Sequence, residues 1–222
     1  MKLIHQLACI IRDTVPVSHN YWTGMWGWAS EQGYVPSTIQ LVRSMNTLRG
    51  FNVESWNNRP EFVKKAEIKF RQLAKAGNDP NVLTVQAEML RTAGKTQESV
   101  DMLDRALEIG GDGFELFPRA KIALATAFND LGSGSEARGV LESISHLELA
   151  ESNLQMGRAL AEENPMAARE WFYKASLLGI DEGLEGLVKM EDRVIESTAD
   201  AEVAKRHTLM RREWEKMVKL GL

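Results

Sequence analysis

Apolar side chains recur at helical spacing on both sides of Gly94, in the stretch from Pro80 to Gly113. Spacings of i, i+4 and i+7 place such side chains on one stripe of an α-helix. The pattern therefore predicts two short amphipathic helices joined by a glycine turn, which is a helical hairpin. One hairpin alone leaves its apolar stripes open to water, so we expect further hairpins stacked on it. The apolar positions are Leu83, Ala87 and Leu90 in the first helix and Val100, Leu103, Ala106 and Leu107 in the second.

The rest of the chain also has helical periodicity, and no stretch alternates apolar and polar residues over a useful length. Asp79-Pro80 and Asn164-Pro165 each combine a capping side chain with a proline suited to the first helical position. Ser37 with Gln40 three residues later predicts a capping box at the start of another helix. Further helices are predicted over residues 2–12, 19–33, 37–50, 60–76, from Gly179 to about Ser197, and from there to about Leu220.

The hairpins resemble the tetratricopeptide repeat, which places bulky residues, small residues and a glycine at fixed positions of a two-helix unit. Counted from Pro80, the first unit supplies Leu83, Gln86, Ala87, Leu90, Gly94, Ser99, Leu103 and Ala106. Counted from Pro118, the second supplies Lys121, Leu124, Ala125, Phe128, Gly132, Ala137, Leu141 and Ile144. A third unit, from Leu149 to Gly179, is more similar to the related Sel1 repeat through Ala168, Trp171, Phe172, Lys174, Ala175, Gly179 and Glu182. The sequence departs from the pattern at Gln86, Lys121 and Gly111.

The resemblance implies an all-α fold, a right-handed solenoid of stacked antiparallel helical hairpins closed by a long C-terminal capping helix. Met210, Trp214 and Met217 share one face of that last helix, which predicts that Trp214 is buried. We expect two regions, an aromatic-rich N-terminal segment at residues 1–34 and a repeat domain at residues 35–222. Ala106 and Ala125 are expected where the helices approach closest.

Composition limits the partners and the compartment. Hydrophobic residues make up 44% and charged residues 26% of the 222 residues, as in a soluble folded chain. The formal net charge of -4 gives no overall attraction to nucleic acid or acidic membranes, and no apolar run approaches the roughly 18 residues that span a bilayer. A single cysteine, Cys9, fits a reducing compartment. We expect a cytoplasmic protein, with the mitochondrial matrix as the alternative because residues 1–30 are acid-poor like a presequence.

Two glycine motifs imitate nucleotide-binding sites. Gly132, Gly134 and Ala137 spell G-x-G-x-x-A, which binds a dinucleotide only at a strand-to-helix turn, whereas the preceding segment here has helical periodicity. Gly94-Lys95-Thr96 resembles the end of a P-loop that lacks its first glycine. We interpret both motifs as hairpin turns and predict no bound cofactor.

The titratable residues form no evident catalytic or metal-binding pattern. The four histidines are scattered, and Cys9 has no cationic neighbour before Arg12, so we interpret it as an inert buried thiol. The paired acids Glu162-Glu163 and Glu191-Asp192 are interpreted as solvated helix faces. The sequence therefore predicts no catalytic residue, no metal site and a protein that is not an enzyme.

Two surface features remain open to more than one interpretation. Trp22, Trp26 and Trp28 either form part of the core at the open end of the array or present a partner-binding patch, since tryptophan is frequent in interface hot spots. The helix predicted over residues 60–76 is basic, with six cations against two acids between Arg59 and Lys75. Those cations either form a solvated face or contact RNA or an acidic protein.

The resemblance implies a non-catalytic scaffold or adaptor that binds a protein or peptide segment on its concave face. The predicted register places Thr84, Glu88 and Arg91 on that face from one repeat, and Arg119, Ile122, Thr126 and Asn129 from the next. The two arginines would favour an acidic ligand segment. Trp22 and Trp26 are the alternative partner-binding residues. The alternative function is an RNA-associated or ribosome-associated protein that uses the basic helix.

Overall fold

The computed structural model describes residues 1–14, 19–49 and 60–220, and every regular element in these ranges is helical. A short 3-10 helix, Ser145–Leu147, interrupts a series of α-helices. The α-helices are α1 (Lys2–Thr14), α2 (His19–Glu31), α3 (Val35–Arg49), α4 (Glu61–Ala76), α5 (Pro80–Thr92), α6 (Thr96–Gly110), α7 (Phe117–Asp130), α8 (Gly134–Glu142), α9 (Ala150–Leu160), α10 (Pro165–Leu177), α11 (Asp181–Ser197) and α12 (Ala201–Leu220).

Glycine turns join the helices of the first two predicted repeats. Gly94, with φ of +78°, lies between α5 and α6, and Gly132, with φ of +77°, lies between α7 and α8. Both backbones are in the left-handed region, which a residue without a Cβ adopts at little cost. Because a helix precedes Gly132, this turn lacks the strand that a dinucleotide-binding fingerprint requires.

The two predicted proline-containing helix starts are present. The Asp79 carboxylate accepts hydrogen bonds from the backbone N–H groups of Asn81 at 2.9 Å and Val82 at 3.3 Å. At the start of α10, the Asn164 side chain accepts from the Ala167 N–H at 3.1 Å. Each cap satisfies donors that have no partner within the first helical turn.

The predicted capping box at Ser37 is wrong, because α3 begins two residues earlier, at Val35. The Thr38 N–H already donates to the carbonyl of Tyr34 at 3.3 Å, so the backbone is helical before Ser37 is reached. Ser37 is fully buried, and its hydroxyl lies 3.0 Å from Nδ1 of His5. A tertiary contact to α1 therefore uses the hydroxyl that the local pattern assigned to a cap.

The first of two compact units comprises Met1–Gly94 and Asp104–Phe117. Helix α2 packs on α1, α3 and α4, so the N-terminal helices share one core with those that follow. Trp22 and Trp26 lie inside this core with their ring centroids 4.9 Å apart in an edge arrangement. The buried apolar side chains of this core are Ala8, Trp22, Trp26, Ile39, Leu41, Val42, Val63, Ala66, Phe70, Val82 and Val85.

The second compact unit comprises Lys95–Leu103 and Pro118–Leu222. Within it, α9, α10, α11 and α12 pack on one another in succession. The Phe172 ring of α10 is buried against Gly157 of α9 and Gly186 of α11. A Cβ at these glycines would lie 2.7 Å and 2.5 Å from the Phe172 Cδ1 atom, so the absence of a side chain at both positions makes room for the Phe172 ring.

The terminal helix α12 is present as predicted, but the prediction that Trp214 is buried is wrong. Trp214 is half-buried, and the buried residue of α12 is His207. The indole of Trp214 lies at an open edge beside Tyr173, whose ring centroid is 6.2 Å away and whose side chain is 45% exposed.

Candidate functional site

The predicted concave face is more buried than the sequence indicated. Thr84 is fully buried, and its hydroxyl donates to the Pro80 carbonyl at 2.7 Å within its own helix. Ile122 was expected to be exposed, but only 6% of it is accessible. Removing an apolar side chain from water is favourable, and packing inside the second unit achieves this for Ile122. Neither residue is available to a partner in this structure.

The remaining polar residues of the predicted face are partly accessible. In the first unit, Glu88 forms an ion pair with Arg43 at 3.3 Å, and Arg91 is half-buried. In the second unit, Arg119, Thr126 and Asn129 are half-buried. The Asn129 amide donates to the backbone carbonyl of Gln155 at 3.1 Å and to its side-chain oxygen at 3.2 Å. The Thr126 hydroxyl donates to the carbonyl of Ile122 at 2.7 Å.

The N-terminal tryptophans do not form the exposed patch that the alternative interpretation required. Trp22 is 5% exposed and Trp26 is fully buried, because both rings face the core of the first unit. The accessible aromatic residues of α2 are instead Tyr21 and Trp28. Trp22 and Trp26 are therefore core residues, and their assignment as partner-binding residues is corrected.

Local contacts engage three lysines of the basic helix α4. Lys64 pairs with Glu61 at 3.5 Å, Lys65 pairs with Glu31 at 3.0 Å, and Lys69 donates to the Ser30 carbonyl at 2.7 Å. The hydrogen bond that Lys65 donates to the Glu31 carboxylate raises the pKa of Lys65 above its ordinary value. Arg59 lies outside the described residues. Lys65 and Lys69 therefore tie α4 to the end of α2, whereas the pair of Lys64 with Glu61 lies within α4.

A groove runs between α9 and α11 in the second unit, with a cavity volume of about 370 Å³. Its floor is apolar and includes Phe172, Met190 and Ala161. Arg193 also lines the groove, and its guanidinium donates to the Ala161 carbonyl and to the Glu162 carboxylate. The charged side chains along the rim are Arg158, Glu182, Glu185, Lys189 and Asp192. An apolar floor with charges of both signs above it suits a ligand of mixed polarity.

A buried ionic cluster joins α10, α11 and α12. Glu191 of α11 is fully buried, and its Oε1 atom accepts from Nε of Arg169 at 2.7 Å and from the Trp214 indole N–H at 3.4 Å. Its other oxygen, Oε2, lies within hydrogen-bond distance of Nδ1 of His207. Arg169 also contacts the sulfur of Met210 at 3.8 Å. The interpretation of Glu191 as part of a solvated face is therefore wrong.

The comparison with solved structures gives a similar fold. The crystal structure of a Sel1 repeat protein from Oxalobacter formigenes is 16% identical in sequence and matches with a TM-score of 0.52. The match covers 95% of this chain and 86% of that chain. The fold is that of a Sel1-like helical-repeat solenoid. No family model matches the sequence, and no curated protein matches it either.

The Sel1-like fold confirms the resemblance on which the repeat prediction was based. In the third predicted repeat, from Leu149 to Gly179, the small residues Ala168 and Ala175 and the bulky Phe172 are buried, as their repeat positions require. Across the described residues, no helix is both long enough and apolar enough to cross a membrane. In the same ranges, no three acidic, histidine or cysteine side chains come together in a way that could hold a metal ion.

Sequence reasoning missed the ionic cluster, although the Sel1-like helices carry a signal for it. Glu191 continues the apolar stripe of Leu184 and Leu187 along α11, and His207 lies between apolar residues on the inward stripe of α12. A charged residue on an apolar stripe has to be paired when that stripe is buried. The partner of each group could be identified only once the helices were packed.

Proposed function

We propose that this chain is a non-catalytic scaffold that binds a segment of another protein in the groove between α9 and α11. The observation that carries the proposal is the groove itself, an apolar floor of about 370 Å³ beneath a charged rim. Helical-repeat folds present surfaces built by successive hairpins and use them for binding. The Sel1-like fold supports this class of function without indicating the partner.

The chemistry of the groove suggests the type of ligand. The cations Arg158 and Lys189 and the acids Glu182 and Glu185 are all exposed along the rim. A short segment with one apolar side chain next to an acidic residue would place the first on the floor and the second against the cations. The modest cavity volume favours one or two anchoring side chains over a folded domain.

Several residues of the predicted face remain part of the proposal. Arg119, Thr126 and Asn129 are accessible enough to contact a ligand bound to the second unit. Glu88 and Arg91 are proposed as contacts of the first unit. Positive charge at the two arginines would favour acidic ligand residues and raise the association rate.

The test is peptide selection followed by measurement of affinity. A displayed peptide library should enrich segments that combine an apolar side chain with an acidic one. Isothermal titration should then show at least tenfold weaker binding of these peptides to a chain carrying Arg158→Glu and Lys189→Glu, because rim charge complementarity is reversed. Selection against this variant should favour basic segments instead.

The matched control carries Lys205→Glu and Arg206→Glu, the same change of charge on exposed positions of α12. It should bind the selected peptides as the native chain does, and circular dichroism should show unchanged helicity in both variants. Equal losses of peptide affinity in the two variants would mean that the net charge of the chain, and not the groove, determines binding. Enrichment of peptides without acidic residues would contradict the proposed ligand class.

We propose the cytoplasm as the compartment, with the mitochondrial matrix as the alternative. The single cysteine is consistent with a reducing environment. Microscopy of a chain tagged at its C-terminus distinguishes the two compartments, and a matrix signal would contradict the proposal.

A further inference from the structure

Cys9 lies beside a histidine that is anchored by a third polar side chain. Cys9 and His5 are one turn apart on α1, and the Cys9 sulfur is 3.8 Å from Nε2 of His5. On the other side of the ring, Nδ1 of His5 is 3.0 Å from the Ser37 hydroxyl. The backbone carbonyl of His5 accepts from the Trp26 indole N–H at 3.4 Å, and His5 is only 7% exposed. This is the spatial order of nucleophile, base and orienting group.

A cavity of about 710 Å³ opens beside this cluster in the first unit. Cys9 is half-buried and not buried as the sequence indicated, and it lines the cavity together with His5 and Tyr34. Three apolar side chains of α1 follow the same face at i, i+4 and i+7 and remain largely exposed, namely Leu3 at 76%, Leu7 at 45% and Ile10 at 58%. Among the described residues, the lysine and carboxylate groups that line the cavity are Lys2 and Glu115. The cavity therefore combines a thiol and a base with a long apolar wall.

We propose that Cys9 is an acyl-accepting nucleophile that takes an apolar acyl group from a thioester donor. The acyl chain would lie along Leu3, Leu7 and Ile10, which places its carbonyl carbon near the Cys9 sulfur. The site is independent of the peptide-binding groove and makes this chain a target of S-acylation rather than an enzyme that turns over.

The proposed step is a balanced thioester exchange. The Cys9 thiol gives its proton to Nε2 of His5, and its sulfur attacks the thioester carbonyl of the donor. The tetrahedral intermediate then collapses, breaking the bond between the carbonyl carbon and the donor sulfur. The departing thiolate takes the proton from His5, so the products are a new thioester on Cys9 and a free donor thiol.

The surroundings of His5 support its role as the base. Burial lowers the pKa of His5, so the ring is neutral at pH 7 and can accept a proton. Arg12 on the same helix lowers the pKa further, and Glu115 acts in the opposite direction. The Tyr34 ring packs edge-on against the His5 ring, with 5.4 Å between the two ring centroids. When Ser37 accepts from Nδ1, the lone pair of Nε2 is directed to Cys9, so Ser37 is a positioning residue.

The experiment follows transfer from octanoyl-coenzyme A to the full native chain by intact-mass spectrometry, with the modified peptide mapped to Cys9. We expect the native chain to react at pH 7 roughly 100-fold faster or more than the same chain in urea, since a positioned general base typically contributes about 10²–10⁴-fold to the rate. His5→Gln and Ser37→Ala should both react more slowly, whereas His146→Gln, at an exposed histidine, should react like the native chain. Cys9→Ser should take up no label that hydroxylamine releases.

Two further measurements keep the proposal testable if His5→Gln does not fold. The native rate should level off at a pH below the ordinary histidine value of 6.5, whereas the rate in urea should rise toward the thiol pKa of about 8.5. Acetyl-coenzyme A, which lacks the chain that the apolar wall would hold, should react more slowly than the octanoyl donor. Native reaction no faster than that in urea, or equal rates for the two donors, would overturn the proposal.

Discussion

Removal of the Glu191 carboxylate should destabilise the C-terminal helices more than any neighbouring acidic substitution. Its side chain is 0% exposed and contacts Arg169 of α10 and both His207 and Trp214 of α12. Glu191→Ala deletes the carboxylate that Arg169, His207 and Trp214 share, and Arg169 and His207 lose this partner. The helices α10 and α12 would then lose the group that joins both of them to α11.

The expected magnitude follows from burial. Breaking a buried ion pair by removing one partner costs about 3–5 kcal/mol, because the remaining charge stays desolvated. The Arg169 side chain is 24% exposed, so water can partly solvate its charge in the variant. We therefore expect Glu191→Ala to lower the unfolding free energy by about 3 kcal/mol. Glu191→Gln keeps the shape and one acceptor oxygen, which limits the expected loss to about 1.5–3 kcal/mol for a charge-assisted hydrogen bond.

The control is Asp192→Ala at the next position. Asp192 pairs with Arg211 at 2.9 Å, but the two side chains are 42% and 39% exposed. Exposed pairs contribute about 0–1 kcal/mol, so this variant should be close to the native chain. A chain carrying Arg169→Met, Glu191→Met and His207→Leu should recover part of the loss, since apolar replacement of a whole buried ionic cluster is often neutral or stabilising.

The assay is urea unfolding followed by circular dichroism, combined with hydrogen exchange of peptides from α10 to α12. Repeat arrays unfold in parts, so the exchange measurement locates the loss in the C-terminal helices. Equal unfolding free energies for Glu191→Ala and Asp192→Ala would refute the reasoning, because the buried contacts would then contribute no more than a surface pair. Exchange that increases only in α1 to α5 would refute it as well.

Two other predictions concern packing and pH. Ala125 is fully buried, so Ala125→Trp should overpack the second unit and lower the unfolding free energy by about 1–3 kcal/mol or more. An unchanged midpoint of unfolding in urea would contradict the repeat register. Burial lowers the pKa of His5 in the folded chain below the ordinary value of 6.5. As the pH falls below 6.5, His5 therefore binds a proton more readily in the unfolded chain than in the folded chain. The contribution of neutral His5 is therefore complete above pH 6.5 and is lost as the pH falls through the lower folded value, and His5→Gln should make the stability less dependent on pH in this range. Parallel pH dependences of the two chains would contradict this assignment.

Local sequence patterns determined the helices, their turns and several of their caps. The hairpin glycines at Gly94 and Gly132 and the cap at Asp79 depend only on backbone conformation and on hydrogen bonds between residues close in sequence. The repeat spacing also predicted buried small residues such as Ala125, because a small side chain is needed where the two helices of a hairpin pack closely. These features can be read from the sequence since their causes lie within one or two helical turns.

Only the tertiary structure decided which polar groups are buried and which groups they meet. Helical periodicity predicts an open face for Ile122 and Thr84, whereas both are buried, because periodicity gives the direction of a side chain but not the extent of the helices packed around it. Ser37 fits a cap locally, yet its hydroxyl contacts His5, which is 32 residues away in the sequence. Glu191 and its partner Arg169 are 22 residues apart. Contacts over such separations depend on the order and angle in which helices pack, and the spacing of residues within one helix carries no information about either.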